Sequence, residues 1–173
     1  ELPLVFDVCL HLATLLAVIL VFRKRIWSLL CVIGRWITRK TKPEDSIELS
    51  MIVAILVGTF VTGIMGIVAS KFLLDFSIKL IFIGFIIREF LLIFSSKVSE
   101  KEHKDENSTE LSKISVKQGL FVGFAQGIGT LPGISRSGIT ISASLFAKIN
   151  RETAGEFSFL LSIPAILGAF ILE

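Results

Sequence analysis

The stretch that decides the fold is residues 118–149, which read QGLFVGFAQGIGTLPGISRSGITISASLFAKI. It is apolar enough for a membrane, but glycines and Pro132 interrupt it, and proline removes a backbone donor and disfavours helix at the residue before it. We expect two helical arms, 118–130 and 139–148, each too short to cross a bilayer alone. Because non-helical backbone at membrane depth persists only where it lines a polar cavity or is buried in protein, the pattern predicts a re-entrant hairpin, or broken helix, with its tip at 131–138.

The composition of the whole chain also favours a membrane. Of its 173 residues, 53% are hydrophobic, and a soluble domain of this size lacks the interior volume to bury so many apolar side chains. Only two cysteines are present, which excludes a disulfide scaffold. We therefore expect an all-α, polytopic integral membrane protein. The chain begins at Glu1 without a methionine and stops inside an apolar run, so we expect it to be one membrane domain, 1–173, from the middle of a longer protein.

Apolar segments of about 20 residues, the length needed to cross a bilayer as a helix, recur along the chain. Spans are predicted near 4–22, 51–69, 76–94 and 157–173, the last of which is cut off by the end of the chain. Segment 26–37 is too short to span and is flanked by cations. It is either an interfacial helix or a cytoplasmic extension of the first span.

The distribution of charge orients these spans. Seven lysines and arginines and no carboxylate lie between residues 23 and 42. By the positive-inside rule, we expect cytoplasmic loops at 23–48 and 95–117, with an outside turn at 70–75. A nucleic-acid binder would instead spread its cations along a solvated face with aromatic residues between them, so no nucleic-acid partner is expected.

The tip of the hairpin combines a cation, hydroxyls and glycines. Arg136 offers a planar fork that suits phosphate oxygens. A helix starting near Gly138 would add unpaired first-turn N–H groups and the positive end of its dipole. We predict a phosphate site that also uses nearby residues, namely Gly133, Ser135, Ser137, Thr140 and Gln126. The alternative is a structural break in which Ser135 and Ser137 cap the second arm and Arg136 snorkels to the interface.

Three further patterns carry structural predictions. Asp7 and His11 are four residues apart on one helix face, and we favour mutual pairing over a chemical role. Glu156 is expected to cap the last helix or to orient Arg136. Glycines recur at every fourth position and predict a smooth face for close helix packing: Gly119, Gly123 and Gly127.

Taken together, these motifs resemble the bacterial undecaprenyl-diphosphate phosphatase family of the bacitracin-resistance type. The resemblance rests on residues 126–138, which end in PGISRSG, on Thr140, and on EFSFLL at 156–161. Residues 6–12 and 16–18 are also similar to the segment that follows the family's first motif. The match covers essentially the whole chain, and the chain corresponds to the middle part of the family's full-length sequence.

The resemblance implies a multi-pass enzyme of the bacterial inner membrane with re-entrant elements and inverted repeats. It would remove the terminal phosphate of a polyprenyl diphosphate, recycle the lipid carrier for cell-wall synthesis and give bacitracin resistance. Arg136 and Ser135 would be the catalytic residues present here. The family's first motif is absent, and with it the expected nucleophile and the ligands of a divalent cation such as Mg or Ca. No metal ligand is assigned within the chain.

The partners implied are the polyprenyl diphosphate lipid and the membrane, and a homodimer is left open. Two rival functions remain. One is a transporter or flippase of an anionic lipid, because carriers also place the N-termini of broken helices around anions at mid-membrane. The other is a non-catalytic membrane subunit.

Overall fold

Six α-helices have defined bounds within the part of the chain that the structure describes, and they pack as a bundle. The computed structural model describes residues 4–72, 84–86, 89, 90, 93, 112–131 and 134–172, and for 4–11, 70–72 and 169–172 it describes the backbone only. The helices, numbered in chain order, are α1 (Leu4–Val21), α2 (Arg23–Ile37), α3 (Ser46–Phe72), α4 (Val116–Ile128), α5 (Arg136–Phe146) and α6 (Arg151–Leu172). All regular elements within the described residues are helical, as the composition predicted.

Helix α2 continues α1 after a single turn residue, Phe22. The backbone hydrogen bonds run through this residue, from its N–H to the carbonyl of Val18 (2.9 Å) and from the N–H of Ile26 to its own carbonyl (2.8 Å). Leu29 and Val32 are buried, and α2 packs against α3. The segment predicted as an interfacial helix or an extension of the first span is therefore helical and directly joined to that span.

Helix α3 contains the predicted span 51–69 and extends beyond it at both ends. Within the part of the chain that the structure describes, one helical stretch, Pro43–Ala69, is long and apolar enough to cross a membrane. The helix carries a stripe of exposed apolar side chains at Val53, Leu56, Phe60, Ile64 and Ile67. Such a face suits contact with lipid or with further apolar helices.

Helix α4 packs along α3 through the predicted glycine face. A β-carbon placed on Gly119 would lie 2.9 Å from the Cα of Ala54, and one on Gly127 would lie 2.4 Å from the sulfur of Met65. These distances are shorter than a real β-carbon tolerates, so only glycine permits this approach. The packing role predicted from the spacing is confirmed.

Helices α4 and α5 form the predicted interrupted pair. Gln118, at the start of α4, donates from its amide to the carbonyl of Ala147 at the end of α5 (2.8 Å), so the two arms run antiparallel. Ser115 caps α4 together with Gln118, and for this reason α4 begins at Val116, inside the predicted loop 95–117. Helix α5 begins at Arg136, earlier than the expected start near Gly138.

The last helix, α6, begins at Arg151, ahead of the predicted boundary at 157. Asn150 caps it by accepting from the N–H of Thr153 through its side-chain oxygen (2.9 Å). Helix α6 packs against α1, α3 and α5 and provides much of the centre of the bundle. The fully buried apolar side chains there are Met51, Ala54, Val122, Ala154, Phe157 and Leu161.

Several predictions fall outside the described residues. The span 76–94 and the loop 95–117 lie mostly outside them, and the turn 70–75 has no described side chain. The side chains of Asp7 and His11 are likewise not described, and neither is Gly133.

Candidate active site

The centre of the candidate site is the first turn of α5. Ser135 is the N-cap residue, with extended backbone (φ −75°, ψ 116°), and its Oγ accepts from the N–H of Gly138 (3.3 Å). The Oγ atoms of Ser135 and Ser137 lie 3.4 Å apart. Ser135 therefore has the capping role of the structural alternative. Because the cap uses the Gly138 N–H, the N–H groups of Arg136 and Ser137 are the first-turn donors left for an anion.

A buried hydroxyl pair fixes this turn to α6. Thr140 is 1% exposed and donates to the carbonyl of Arg136 (2.9 Å) or of Ser137 (3.1 Å). Its Oγ1 is also in direct hydrogen-bond contact with the Oγ of Ser158 on α6. This contact crosses from one helix to another in the interior and places the turn that carries Arg136 against α6.

A cavity of about 270 Å³ opens beside this turn. Helices α1, α5 and α6 contribute its lining: Thr14, Val18, Arg136, Ser137, Thr140, Ser158, Phe159, Ser162 and Ile166. The wall combines one guanidinium, the hydroxyls of five residues and the apolar side chains of Val18, Phe159 and Ile166. The cavity can therefore receive a molecule with a polar head and an apolar body.

The charge of the cavity is positive. Arg136 is half-buried and is the one charged side chain among the described lining residues. Within the part of the chain that the structure describes, no carboxylate lies within ion-pair distance of its guanidinium. A bound anion stabilises a partly buried cation that has no carboxylate partner. The planar guanidinium of Arg136 suits phosphate oxygens.

Comparison with known proteins agrees with this chemistry. The family model for the bacitracin resistance protein BacA matches residues 2–173. The chain belongs to the BacA family. It is 54% identical over its full length to the undecaprenyl-diphosphatase of Treponema denticola and covers 62% of that protein. It is 41% identical to the undecaprenyl-diphosphatase of Borrelia recurrentis, of which it covers 63%, and 34% identical to that of Methanobrevibacter smithii, of which it covers 64%. The chain thus spans less than two thirds of the length of these relatives.

Not every residue predicted for the site of this BacA-family chain lies on the cavity wall. Gln126 is fully buried between α3 and α4, where its amide donates to the Oγ1 of Thr62 (3.3 Å). Its carbonyl oxygen has no hydrogen-bond partner among the described residues. Gln126 therefore occupies the helix interface and not the cavity wall where it was expected.

The position and partner of Glu156 differ from the prediction. Helix α6 begins at Arg151 and is capped by Asn150, so Glu156 lies inside the helix and is not its cap. Its Oε1 lies 2.7 Å from the Nε of Arg25 on α2 and not against Arg136. The prediction that Glu156 caps α6 or orients Arg136 is therefore wrong. The carboxylate pairs with a cation that precedes it by more than a hundred residues, and local spacing does not reveal such a pair.

The cavity of this BacA-family chain contains residues that sequence reasoning missed. Ser158 and Ser162 are four residues apart on the apolar helix α6, and Thr14 lies on the apolar helix α1. Hydroxyls at helical spacing within an apolar helix share one face, and that pattern was the available signal. It does not say which face meets Arg136, because that depends on how α6 packs on α5.

The donor set around the cavity does not fit a divalent cation. Mg and Ca take mainly carboxylate and carbonyl oxygens, whereas hydroxyls and one guanidinium line this cavity. Within the described ranges, three or more His, Cys, Asp or Glu side chains do not come together as a metal site. We therefore assign no metal-dependent step to the residues of this chain.

Proposed function

We propose that the complete protein hydrolyses undecaprenyl diphosphate to the monophosphate and inorganic phosphate. The observation that carries the proposal is a cavity lined by an arginine, several hydroxyls and apolar side chains, in which the arginine has no carboxylate partner among the described residues. A polyprenyl diphosphate has the matching shape, with a doubly phosphorylated head on an apolar chain. The names of the relatives, undecaprenyl-diphosphatases, support the same substrate.

In this proposal, Arg136 holds the diphosphate. Its guanidinium binds phosphate oxygens and stabilises the charge that develops as the phosphoryl group is transferred. Ser137 and Thr140 line the same cavity as Arg136. Ser135 orders the turn through its cap, which uses the N–H of Gly138, and Gly133 stays a phosphate-binding residue predicted from the sequence alone.

The reaction breaks the P–O bond between the terminal phosphorus and the bridging oxygen. The bridging oxygen stays with the lipid monophosphate, and an oxygen from water ends on inorganic phosphate. We assign the nucleophile to a part of the protein outside this chain, since the chain covers 62% of the length of the T. denticola undecaprenyl-diphosphatase. The contribution of the chain is to bind the head group, orient it and stabilise its charge.

We further propose that the protein is a multi-pass protein of the bacterial inner membrane, with α4 and α5 entering the bilayer as a re-entrant pair. The support is the family, the apolar stretch Pro43–Ala69 and the antiparallel arrangement of the two short arms. Hydrolysis there would recycle the lipid carrier for cell-wall synthesis and give resistance to bacitracin.

The test is phosphate release from undecaprenyl diphosphate by the complete protein in detergent. Detergent abolishes transport across a membrane but leaves hydrolysis intact, so the assay separates a phosphatase from a lipid flippase.

We expect the wild type to release phosphate and Arg136→Ala to be slower by roughly 100-fold or more, the scale for loss of a group that stabilises transition-state charge. Arg151→Ala, which removes an exposed arginine at the start of α6, is the matched control and should retain wild-type activity. No release by the wild type would refute the phosphatase, and full release by Arg136→Ala would remove this residue from the reaction.

A further inference from the structure

A side-chain hydrogen bond between Thr140 and Ser158 joins helices α5 and α6 beside the candidate site. Both residues are almost fully buried, with exposures of 1% and 2%, and both line the cavity that contains Arg136. Thr140 lies one helical turn after Arg136, on the same helix. Ser158 reaches it from α6.

The direction of the hydrogen bond follows from the number of protons. A threonine hydroxyl has one hydrogen, and the carbonyl oxygens of Arg136 and Ser137 lie 2.9 and 3.1 Å from the Oγ1 of Thr140. Because these carbonyls accept that hydrogen, the oxygen of Thr140 accepts the hydrogen of Ser158. A relay of two hydrogen bonds therefore runs from the Ser158 hydroxyl through Thr140 to the backbone carbonyl of Arg136.

Two other serines near the cavity have different bonds. Ser135 accepts from its own helix as the cap of α5. Ser162, one turn after Ser158 on the same cavity wall, donates to the carbonyl of Phe159 within its own helix (2.7 Å). Ser158, in contrast, bonds across the interface between α5 and α6.

We propose that Ser158 is a positioning residue for Arg136 and acts through Thr140. The inference rests on the proposed function, since it concerns how the chain holds the arginine that binds the diphosphate. The hydroxyl of Ser158 fixes the first turn of α5 relative to α6, and that turn sets where the guanidinium meets the phosphates. When the hydroxyl is removed, the buried oxygen of Thr140 loses its donor and the turn is free to shift.

Loss of the Ser158 hydroxyl should lower the turnover number more than it weakens substrate binding. If Arg136 stabilises charge that develops during phosphoryl transfer, a displaced guanidinium lowers kcat and leaves the KM nearly unchanged. In the complete protein in detergent, with undecaprenyl diphosphate, we expect Ser158→Ala to lower kcat about tenfold, the scale for loss of one buried hydrogen bond. The KM should stay within about twofold of wild type. Ser50→Ala on α3 is the matched control, because its hydroxyl also makes a contact distant in sequence, accepting from the N–H of Ile114 (3.1 Å), but does not line this cavity; it should keep both parameters.

The double variant tests whether the effect passes through Thr140. In a Thr140→Val background the relay is already broken, so Ser158→Ala should cause no further loss of kcat. The proposal is overturned if Ser158→Ala has wild-type kcat per folded molecule, including the case in which only its thermal unfolding midpoint falls. It is also overturned if the tenfold loss persists in the Thr140→Val background. If the wild type releases no phosphate, the proposed function fails and this inference fails with it, whereas an active wild type with an unaffected Ser158→Ala refutes the inference alone.

Discussion

The backbones of Gly58 and Gly123 meet directly where α3 and α4 pack together. A β-carbon placed on Gly123 would lie 2.5 Å from the Cα of Gly58 and 2.6 Å from its carbonyl oxygen. The hydroxyl of Thr62 lies 2.9 Å from the carbonyl oxygens of both glycines. Contact between two backbones, with a hydroxyl bridging them, explains why α4 packs so closely along α3.

This contact predicts the effect of a single methyl group. Gly123→Ala must push α4 away from α3, because the obstacle is backbone and cannot rotate aside. We expect a loss of roughly 1–3 kcal/mol in the free energy of unfolding, the usual cost of overpacking, measured by thermal or denaturant unfolding in detergent. The control is Gly34→Ala in α2, where a β-carbon meets no atom within 4 Å and the gain in helix propensity should leave stability unchanged or slightly higher. Equal stability of wild type and Gly123→Ala would show that this interface is looser than described.

The apolar wall of the cavity predicts a dependence on the lipid chain. Phe159 lines the cavity and stacks on Phe22, with ring centroids 5.7 Å apart. Phe159→Ala should raise the KM for undecaprenyl diphosphate about tenfold, because an aromatic contact with the prenyl chain is lost. A diphosphate with a short five-carbon chain should be hydrolysed as before.

The matched control for this chain-length experiment is Phe121→Ala, the same change at an exposed position of α4. This substitution should change the KM for neither substrate. A parallel loss with both substrates in Phe159→Ala would mean that this ring supports the fold of the site and does not contact the lipid chain.

Three charged side chains from three helices form an ion cluster. Removing them one at a time should lower the free energy of unfolding by unequal amounts. Arg25 on α2 pairs with Glu48 on α3 (3.0 Å) and with Glu156 on α6 (2.7 Å), and all three side chains are largely buried. Removal of Arg25 leaves two partly buried carboxylates close together, whereas removal of Glu156 leaves a balanced pair. We therefore expect Arg25→Met to cost roughly 3 kcal/mol of unfolding free energy and Glu156→Gln about 1 kcal/mol.

Two exposed neighbours serve as controls for the cluster. Arg23→Met on α2 and Glu152→Gln on α6 make the same chemical changes at exposed positions and should change stability by less than about 0.5 kcal/mol. The interpretation fails if Arg25→Met is no more destabilising than Glu156→Gln in the same unfolding assay.

The pair of Asp45 and Arg35 predicts a pH dependence. The Nη2 and Nε atoms of Arg35 lie 2.5 and 3.0 Å from the two carboxylate oxygens, and the N–H of Lys42 donates to the same carboxylate (3.0 Å). These bonds, that of Arg35 first, lower the pKa of Asp45 from 3.8 to about 2. A carboxyl whose pKa is lower in the folded state stabilises the fold above its unfolded pKa and loses that contribution as the pH falls through the folded value.

The measurement is the thermal unfolding midpoint of the wild type and of Asp45→Asn between pH 7 and pH 2. The two midpoints should differ at neutral pH and converge as the pH falls from about 4 to about 2. Glu44→Gln, an exposed neighbour, should differ little from wild type throughout. A gap between wild type and Asp45→Asn that stays constant down to pH 2 would contradict the assignment of this pKa.

Sequence reasoning located the helices well where long apolar runs dominate. The spans predicted at 4–22 and 51–69 correspond to α1 and α3, and the break near Pro132 lies between α4 and α5. Boundaries moved where side chains cap helix ends. Ser135 starts α5 at Arg136, and Asn150 starts α6 at Arg151.

The composition of the site was harder to predict. Arg136, Ser137 and Thr140 were identified from the sequence, because a cation and hydroxyls beside a helix break form a local pattern, and the structure places all three on one cavity. Ser158 was missed as a member of the site, and Glu156 was assigned the wrong partner. Both errors concern contacts between helices that are distant in sequence.

The sequence by itself therefore determined the helical, apolar character of the chain, the interruption at Pro132, the glycine face of α4 and the cation at the start of α5. Each of these follows from backbone sterics, hydrophobicity or helical spacing, which act over a few residues. Only the tertiary structure decided that Ser158 contacts Thr140, that Arg25 binds Glu156 and that three helices enclose an amphipathic cavity at Arg136. The reason is that these contacts depend on the angles and rotations at which the helices pack, and those are set by the sum of many small steric fits across the whole bundle.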